Sequence, residues 1–271
     1  MAVTDAAAPT TTIRAKPSGF FSDLATIAGR AIRSIPREPE TFIPALFIPA
    51  FFFIVNVGAL QDLAEGAPGS ELNYREFQLP TAIIFAVTGI SRAPSLVTDI
   101  VTGYFDRLLL TPTRRLPLLL GLMVSDFLLV LALCIPVLIL GFVFGVSFGT
   151  GPLGFLAFIF LGGLWGLAFT GFPYAIALKT GNAAAVASSL LLFFPFAFLT
   201  SSTVPLDQLT GWLRTIATYN PLTYILDGMR SLLDDTWDPA ALGKALLCIV
   251  AVGCVSQTLS LLALRGRLKR G

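Results

Sequence analysis

Residues 117–145 read PLLLGLMVSDFLLVLALCIPVLILGFVFG, and Asp126 is the only charged residue among them. A helix that crosses the hydrocarbon core of a bilayer needs about 20 consecutive, mostly apolar residues. The stretch meets that length, and Pro117 suits the first turn of a helix, where its missing N–H costs nothing. It therefore predicts a membrane-spanning helix.

The rest of the chain is similarly apolar. Of its 271 residues 55% are hydrophobic and 13% charged, and the mean hydropathy is +0.81, whereas soluble domains average about 25% charged residues. We therefore predict an all-α polytopic membrane protein. Arg92 and Pro94 mark either the cytoplasmic end of the second span or a kink in it. The six predicted spans are residues 42–60, 80–98, 117–145, 152–178, 183–202 and 241–264.

The basic residues predict the orientation, because lysine and arginine are enriched in cytoplasmic loops. With the N-terminus in the cytoplasm, 14 of the 18 basic residues lie on the inner side. The remaining four are Arg75, Arg214, Arg230 and Lys244. Both termini are therefore predicted to be cytoplasmic.

The chain is predicted to form a single membrane domain, residues 18–264, with a short tail at each end. Residues 19–36 place apolar side chains on one helical face and arginines on the other, which predicts an interfacial helix. Residues 1–17 are rich in Ala, Thr and Pro and predict a disordered cytoplasmic tail. Residues 265–271 form a short basic tail. The first forty residues contain no apolar segment typical of a cleavable signal peptide.

The sequence offers few residues for catalysis or metal binding. It has no histidine, and its three cysteines lie in apolar runs, where they resemble small buried hydrophobic residues. It also contains no G-x-x-x-x-G-K-[ST] phosphate-binding loop. We therefore expect no catalytic residue, metal or cofactor in this chain.

Two polar segments lie on opposite sides of the predicted membrane. On the inner side GYFDRLLLTPTRR, residues 103–115, overlaps a short predicted helix, 99–112. From its pattern it is either a surface loop with positive-inside arginines or a docking helix for a soluble partner. On the outer side residues 203–233 contain two amphipathic pieces, too short to span, that meet at Asn220 and Pro221. They predict an outer re-entrant or surface-lying segment.

Both segments resemble the ABC-2 family of membrane subunits of ATP-driven exporters, and GYFDR resembles its daunorubicin-resistance branch. One departure is the pair Gly121 and Leu122, where many relatives carry a lysine. The inner residues that carry the resemblance are Asp99, Gly103, Asp106, Arg107, Leu108, Thr111, Pro112, Arg114 and Arg115. The outer residues are Pro205, Trp212, Leu213, Asn220, Pro221, Tyr224 and Arg230.

The resemblance implies a type V exporter-like fold and a permease subunit of a bacterial inner-membrane transporter. It implies two copies of a cytoplasmic ATPase, which bind ATP and Mg, and a second permease copy or related chain. Membrane lipids are expected partners, and nucleic acid is not. The resemblance implies a coupling helix over 99–112. The residues it assigns to the ATPase contact, in this helix and just after it, are Gly103, Tyr104, Phe105, Asp106, Arg107, Leu108, Pro112 and Arg114.

Three residues inside the spans are candidates for a substrate path. Asp126 lies about 14 Å into its span, where an ionisable group is a functional candidate; alternatively it is a buried carboxyl bonded to Ser125 or a neighbouring helix. Phe194 and Phe198 are four residues apart in a phenylalanine-rich region that suits hydrophobic cargo. The alternative functions are export of a polysaccharide or glycolipid and, more distantly, ion-coupled secondary transport or a membrane-bound enzyme.

Overall fold

A computed structural model describes Gly29 and residues 39–66, 72–104, 115–234 and 237–268. Throughout these residues the regular structure is helical, which confirms the predicted all-α class. The predicted interfacial helix 19–36 (apart from Gly29), the tail 1–17 and most of the basic tail lie outside the described residues. The helices are α1 (Pro39–Glu65), α2 (Tyr74–Thr88), α3 (Ala93–Val101), α4 (Arg115–Val143), α5 (Gly151–Thr180), α6 (Ala183–Ala187), α7 (Leu190–Phe198), α8 (Gly211–Tyr219), α9 (Pro221–Arg230) and α10 (Pro239–Leu268).

Five helical segments in the described part of the chain are long and apolar enough to cross a membrane. They overlap the first four predicted spans and the last one. The second of them runs through both α2 and α3. The segments are Ile43–Glu65, Tyr74–Val101, Gly121–Val143, Gly151–Thr180 and Pro239–Arg267.

The predicted span 183–202 differs from the other five. The structure places two short helices there, α6 and α7, within the apolar stretch Ala183–Phe198. The chain turns between them at Ser188 and Ser189, and the Ser188 hydroxyl donates to the carbonyl oxygen of Ala184 at 3.1 Å. Leu199 then leaves the helical conformation, with φ −92° and ψ 46°. Helical structure thus ends before residue 202, and the six-span topology stays a prediction.

The second span is broken where Arg92 and Pro94 lie in the sequence. Helix α2 ends at Thr88, residues 89–92 are irregular, and Pro94 stands in the first turn of α3. The indole Nε1 of Trp165 donates to the Thr88 hydroxyl at 2.8 Å, and that hydroxyl donates to the Ile84 carbonyl oxygen at 2.7 Å. The sequence left open whether a span ends or kinks at this point. The structure shows an interruption within the segment Tyr74–Val101, which continues beyond it.

The helices bury two hydrophobic clusters. The larger one joins α1, α2, α4, α5, α7, α9 and α10 through side chains such as Phe53, Ile83 and Trp165. The smaller one joins α3 to the adjoining parts of α4, α5 and α10, and it contains Leu96 and Tyr174. Helix α3, the second half of the span Tyr74–Val101, is therefore packed against the neighbouring spans.

Small residues allow several helices to approach closely. The Ser256 hydroxyl of α10 donates to the Ala168 carbonyl oxygen of α5. A Cβ atom on Gly171 would lie 2.5 Å from the backbone carbonyl carbon of Ser256, whereas a Cβ on Gly141 would lie 2.8 Å from Cδ1 of the Leu79 side chain. Glycine at these two positions thus determines how closely α5 meets α10 and α4 meets α2.

The outer segment 203–233 contains α8 and α9, and Asn220 lies between them. Helix α8 is mostly exposed, with Ala217 its buried residue. Helix α9 is mostly buried and packs against α10 and α2. These are the two amphipathic pieces that the sequence predicts; their re-entrant placement in a membrane stays a prediction.

Candidate functional site

A cleft lined by phenylalanine rings opens between α1, α2 and α7, with a volume of about 300 Å³. Phe194 and Phe198, both named from the sequence, line it and stack with ring centroids 5.7 Å apart. Phe85 also lines it and meets Phe193 and Phe198 edge to face, with ring centroids 5.3 and 5.9 Å apart. Such a surface suits an apolar or aromatic ligand.

The cleft continues into a smaller, more polar cavity of about 190 Å³, which shares Phe52, Phe85 and Phe198 with it. Gln78 lines this inner cavity and is only 3% exposed. Its Nε2 donates to the Tyr74 hydroxyl at 3.3 Å, while its Oε1 has no hydrogen-bond partner among the described residues. Because an unmade buried hydrogen bond costs about 1–3 kcal/mol, this oxygen is a suitable acceptor for a ligand.

Arg230, the last residue of α9, is the centre of a second group of contacts. Its Nε donates to the Phe77 carbonyl oxygen at 3.2 Å, and its Nη2 to the Ser201 carbonyl oxygen at 2.7 Å. Its Nη1 donates to the Ser201 hydroxyl at 3.2 Å and to Asp227 Oδ1 at 3.3 Å. The guanidinium carbon lies 3.6 Å from the centroid of the Phe77 ring, within cation–π range.

Arg230 keeps its positive charge although its side chain is largely buried. Burial lowers the pKa of Arg230 to about 10, and the nearby Asp227 carboxylate acts in the opposite direction. The guanidinium therefore remains protonated at neutral pH, and its hydrogen bonds are charge-assisted.

Arg230 is one of three side chains that bind successive carbonyl oxygens of residues 201–203. The Thr81 hydroxyl donates to Ser202 O at 3.0 Å, and the Tyr74 hydroxyl donates to Thr203 O at 3.1 Å. These carbonyl groups lie beyond the end of α7, so the helix cannot satisfy them. Three donors from α2 and α9 thus fix the irregular segment that forms the inner wall of the cleft.

Asn220 fixes the C-terminal end of α7, just before this segment. Its Nδ2 donates to the carbonyl oxygens of Phe196 and Leu199, at 2.8 and 2.7 Å, and its Oδ1 accepts from Leu222 N at 3.0 Å. The last contact caps α9, whose first turn contains Pro221. Asn220 and Arg230, at the two ends of α9, therefore both bind backbone carbonyl groups at or beyond the end of α7, and Pro221 starts the helix between them. The other two residues of the outer motif lie apart from these contacts. Trp212 is 69% exposed on α8, and Pro205 lies half-buried in the irregular chain before α8.

Asp126 lies on α4, where it is buried against α5 and the break before α3. Its Oδ1 accepts from the backbone N–H of Arg92 at 2.9 Å, and its Oδ2 accepts from the Tyr174 hydroxyl at 2.7 Å. Asp126 and Tyr174 are each at most 1% exposed. The carboxyl group therefore binds a neighbouring helix rather than Ser125, and it holds the start of α3.

The predicted coupling motif falls largely outside the described residues. Asp99 lies in the last turns of α3, which ends at Val101; Gly103 has a φ of +72°, and Tyr104 is 39% exposed. The left-handed Gly103 interrupts the helix that the sequence predicts over 99–112. Phe105, Asp106, Arg107, Leu108, Pro112 and Arg114 lie outside the described residues.

The geometry defines a helical membrane protein with an apolar binding cleft. Within the described residues no group of three or more His, Cys, Asp or Glu side chains is placed to hold a metal ion. Residues 22–233 match the family described as ABC-2 type transporter. The chain belongs to this family and is a multi-pass membrane permease of the ABC transporter class.

Its relatives include permeases named for drug resistance. It is 24% identical to the "Daunorubicin resistance ABC transporter permease protein DrrB1" of Streptomyces coeruleorubidus, over 77% of this chain and 75% of that protein. It is 26% identical to the "Probable doxorubicin resistance ABC transporter permease protein DrrC" of Mycobacterium tuberculosis, over 78% and 76%. It is 28% identical to the "Putative transport permease ycf38" of Cyanophora paradoxa, over 79% of this chain and 74% of that protein.

Proposed function

We propose that this permease exports a hydrophobic, drug-like or lipid-like molecule across a bacterial inner membrane, using ATP hydrolysed by a separate ATPase. The observation that carries the proposal is the phenylalanine-lined cleft with Gln78 at its inner end. Its aromatic walls suit an apolar body, and the unpaired amide oxygen suits one hydrogen-bond donor on that body. The names of the two drug-resistance relatives support the same class of cargo.

The proposal includes a mechanical connection from the cytoplasm to the spans. The predicted coupling helix, 99–112, begins in the last turns of α3, and two ATPase copies would bind a pair of permeases. Helix α3 packs on α5 and α6 and buries Leu96, Val97 and Ile100. Asp126 ties its first turn to Tyr174 of α5. Displacement of the coupling helix would therefore be passed to α4 and α5.

Inside-out vesicles from cells that co-express the permease and its ATPase test the function. We expect ATP to drive uptake of ethidium, a planar aromatic cation, even after ionophores collapse the proton gradient. Uptake that needs the gradient and not ATP would instead support an ion-coupled transporter. The permease purified alone should hydrolyse no ATP above a mock preparation.

Replacing Gln78 with leucine is expected to change cargo selection. Ethidium carries amino donors, whereas Nile red is apolar and has none. Since a buried hydrogen bond contributes about 1 kcal/mol, Gln78→Leu should raise the KM for ethidium about fivefold. The KM for Nile red should stay unchanged, and this cargo serves as the matched control. An equal change for both dyes would exclude a role of Gln78 as an acceptor.

Replacing Phe105 with alanine is expected to weaken ATPase binding about thirtyfold, because truncating an interface aromatic typically costs about 2 kcal/mol or more. Arg114→Ala should weaken ATPase binding less, since exposed charge pairs contribute about 0–1 kcal/mol. Asp106→Lys should weaken ATPase binding more than Asp106→Ala does, because it reverses the charge at this position. The measurement is co-purification of the ATPase, normalised to permease in the membrane. The coupling assignment fails if Phe105→Ala and Asp106→Lys both retain full binding and full transport.

A further inference from the structure

A groove separate from the phenylalanine cleft lies between the C-terminal ends of α5 and α10, beside α7. Its volume is about 740 Å³, which is within the usual range of ligand sites. Its long walls are apolar, and Lys179 and Arg267 line it at the C-terminal ends of the two helices, which we call its mouth. The apolar wall residues are chiefly Phe172, Ile176, Leu192, Leu259 and Leu262.

We propose that this groove binds one anionic phospholipid, with an acyl chain along the apolar walls and the phosphate at Lys179 and Arg267. The groove walls belong to two segments that are long and apolar enough to span, Gly151–Thr180 and Pro239–Arg267. Leu192, Leu259 and Leu262 are each about half exposed within it, at 48%, 45% and 55%. An occupant must therefore offer an apolar chain inside the groove and a polar group at its mouth.

The charge at the mouth selects an anion. Lys179 lies in the last turn of α5, and Arg265 and Arg267 lie in the last turn of α10. These side chains place positive charge beside two helix C-termini, each of which carries about −0.5 charge. The described residues that line the groove include no acidic side chain. Basic pockets between membrane helices bind anionic lipid headgroups for this reason.

An acyl chain distinguishes a phospholipid from the other possible occupants. A free phosphate ion would use the cations and leave the apolar walls uncovered. A soluble partner would reach the mouth but not the leucines below it. A phospholipid matches both parts of the groove, and the bilayer supplies it at high local concentration.

Gly266 allows the groove to be filled without disturbing its walls. A Cβ atom built on Gly266 meets no heavy atom within 4 Å, so Gly266→Leu can extend into the groove. Gly243, near the other end of α10, is equally open and gives the matched control Gly243→Leu. For the charge, Lys179→Ala is compared with Lys244→Ala, which changes an exposed lysine near that same far end of α10. Leu192→Trp fills the groove from α7 and serves as a second blocking variant.

The experiment counts phospholipids that the purified full-length permease retains from an equimolar mixture of phosphatidylglycerol and phosphatidylcholine, by native mass spectrometry. We expect the native chain to retain one phosphatidylglycerol in preference to phosphatidylcholine. Lys179→Ala should lower the phosphatidylglycerol affinity about fivefold. Gly266→Leu and Leu192→Trp should abolish retention of that lipid, and both control variants should bind as the native chain does.

Three outcomes would overturn the proposal. The first is equal retention of the two lipids by the native chain. The second is undiminished phosphatidylglycerol binding in both blocking variants. The third is an equal loss of phosphatidylglycerol affinity in Lys179→Ala and in the control Lys244→Ala. None of these measurements depends on ATP or on cargo, so the outcome is independent of the proposed transport function.

Discussion

Replacing Arg230 with alanine is expected to lower the free energy of unfolding by about 3 kcal/mol. The side chain is 13% exposed and makes charge-assisted bonds to the Ser201 and Phe77 carbonyl oxygens, the Ser201 hydroxyl and Asp227. Hydrogen bonds to charged groups contribute about 1.5–3 kcal/mol each, and the substitution removes several together. Part of that loss is offset because the cost of burying the guanidinium also disappears.

The measurement is reversible unfolding by SDS in mixed micelles, followed by the fluorescence of the three tryptophans. Arg214→Ala is the matched control, because Arg214 is exposed on α8, and it should change stability by less than about 0.5 kcal/mol. Arg230→Lys should lower the free energy of unfolding by an intermediate amount, since lysine keeps the charge but lacks the forked donors of arginine. Equal stability of Arg230→Ala and Arg214→Ala would show that these contacts do not stabilise the fold.

Replacing Asp126 with alanine is also expected to cost about 3 kcal/mol, because it removes one partner from a buried polar cluster. The Arg92 N–H and the Tyr174 hydroxyl would both lose their acceptor. Tyr174→Phe, which removes a single hydrogen bond, should cost about 1 kcal/mol. Since the two changes share one contact, the double variant should be less destabilised than the sum of the single variants.

Ser125→Ala is the matched control for Asp126→Ala. The Ser125 hydroxyl is buried on the same turn of α4, and it has no hydrogen-bond partner among the described residues. Its removal should therefore be nearly neutral. Ethidium transport per folded molecule distinguishes a structural role from a place on the substrate path. If folded Tyr174→Phe protein transports normally while Asp126→Asn does not, the carboxyl group acts on the cargo rather than on the position of α3.

The sequence predicted the long helices well because their signal is local. A run of apolar residues identifies a span whatever lies around it, and Arg92 with Pro94 marked the break between α2 and α3. The region 183–202 was harder, since its composition is apolar enough for a span. Ser188, Ser189 and the irregular Leu199 interrupt its helix, and none of them breaks a helix by itself.

The contacts of the candidate site depend on distant parts of the chain. Arg230 and Asn220 were recognised through a resemblance, but their acceptors are backbone carbonyl oxygens, which carry no sequence signal. The partner of Asp126 on α5, Tyr174, is 48 positions away. Gln78 was missed because a single glutamine in a helix is ordinary, and only the fold places its unpaired oxygen in a cavity. Phe194 and Phe198 were named as candidates because they lie four residues apart in a phenylalanine-rich region, and their role in a substrate path stays a prediction.

The two close glycine contacts have different consequences for sequence divergence in the family. At Gly171 an added Cβ would collide with backbone atoms of Ser256, so no side-chain change at position 256 can make room for it. At Gly141 the collision is with the Leu79 side chain, and a shorter residue at position 79 relieves it. Positions 79 and 141 can therefore covary among relatives that keep this packing, while position 171 is restricted to glycine independently of its neighbours.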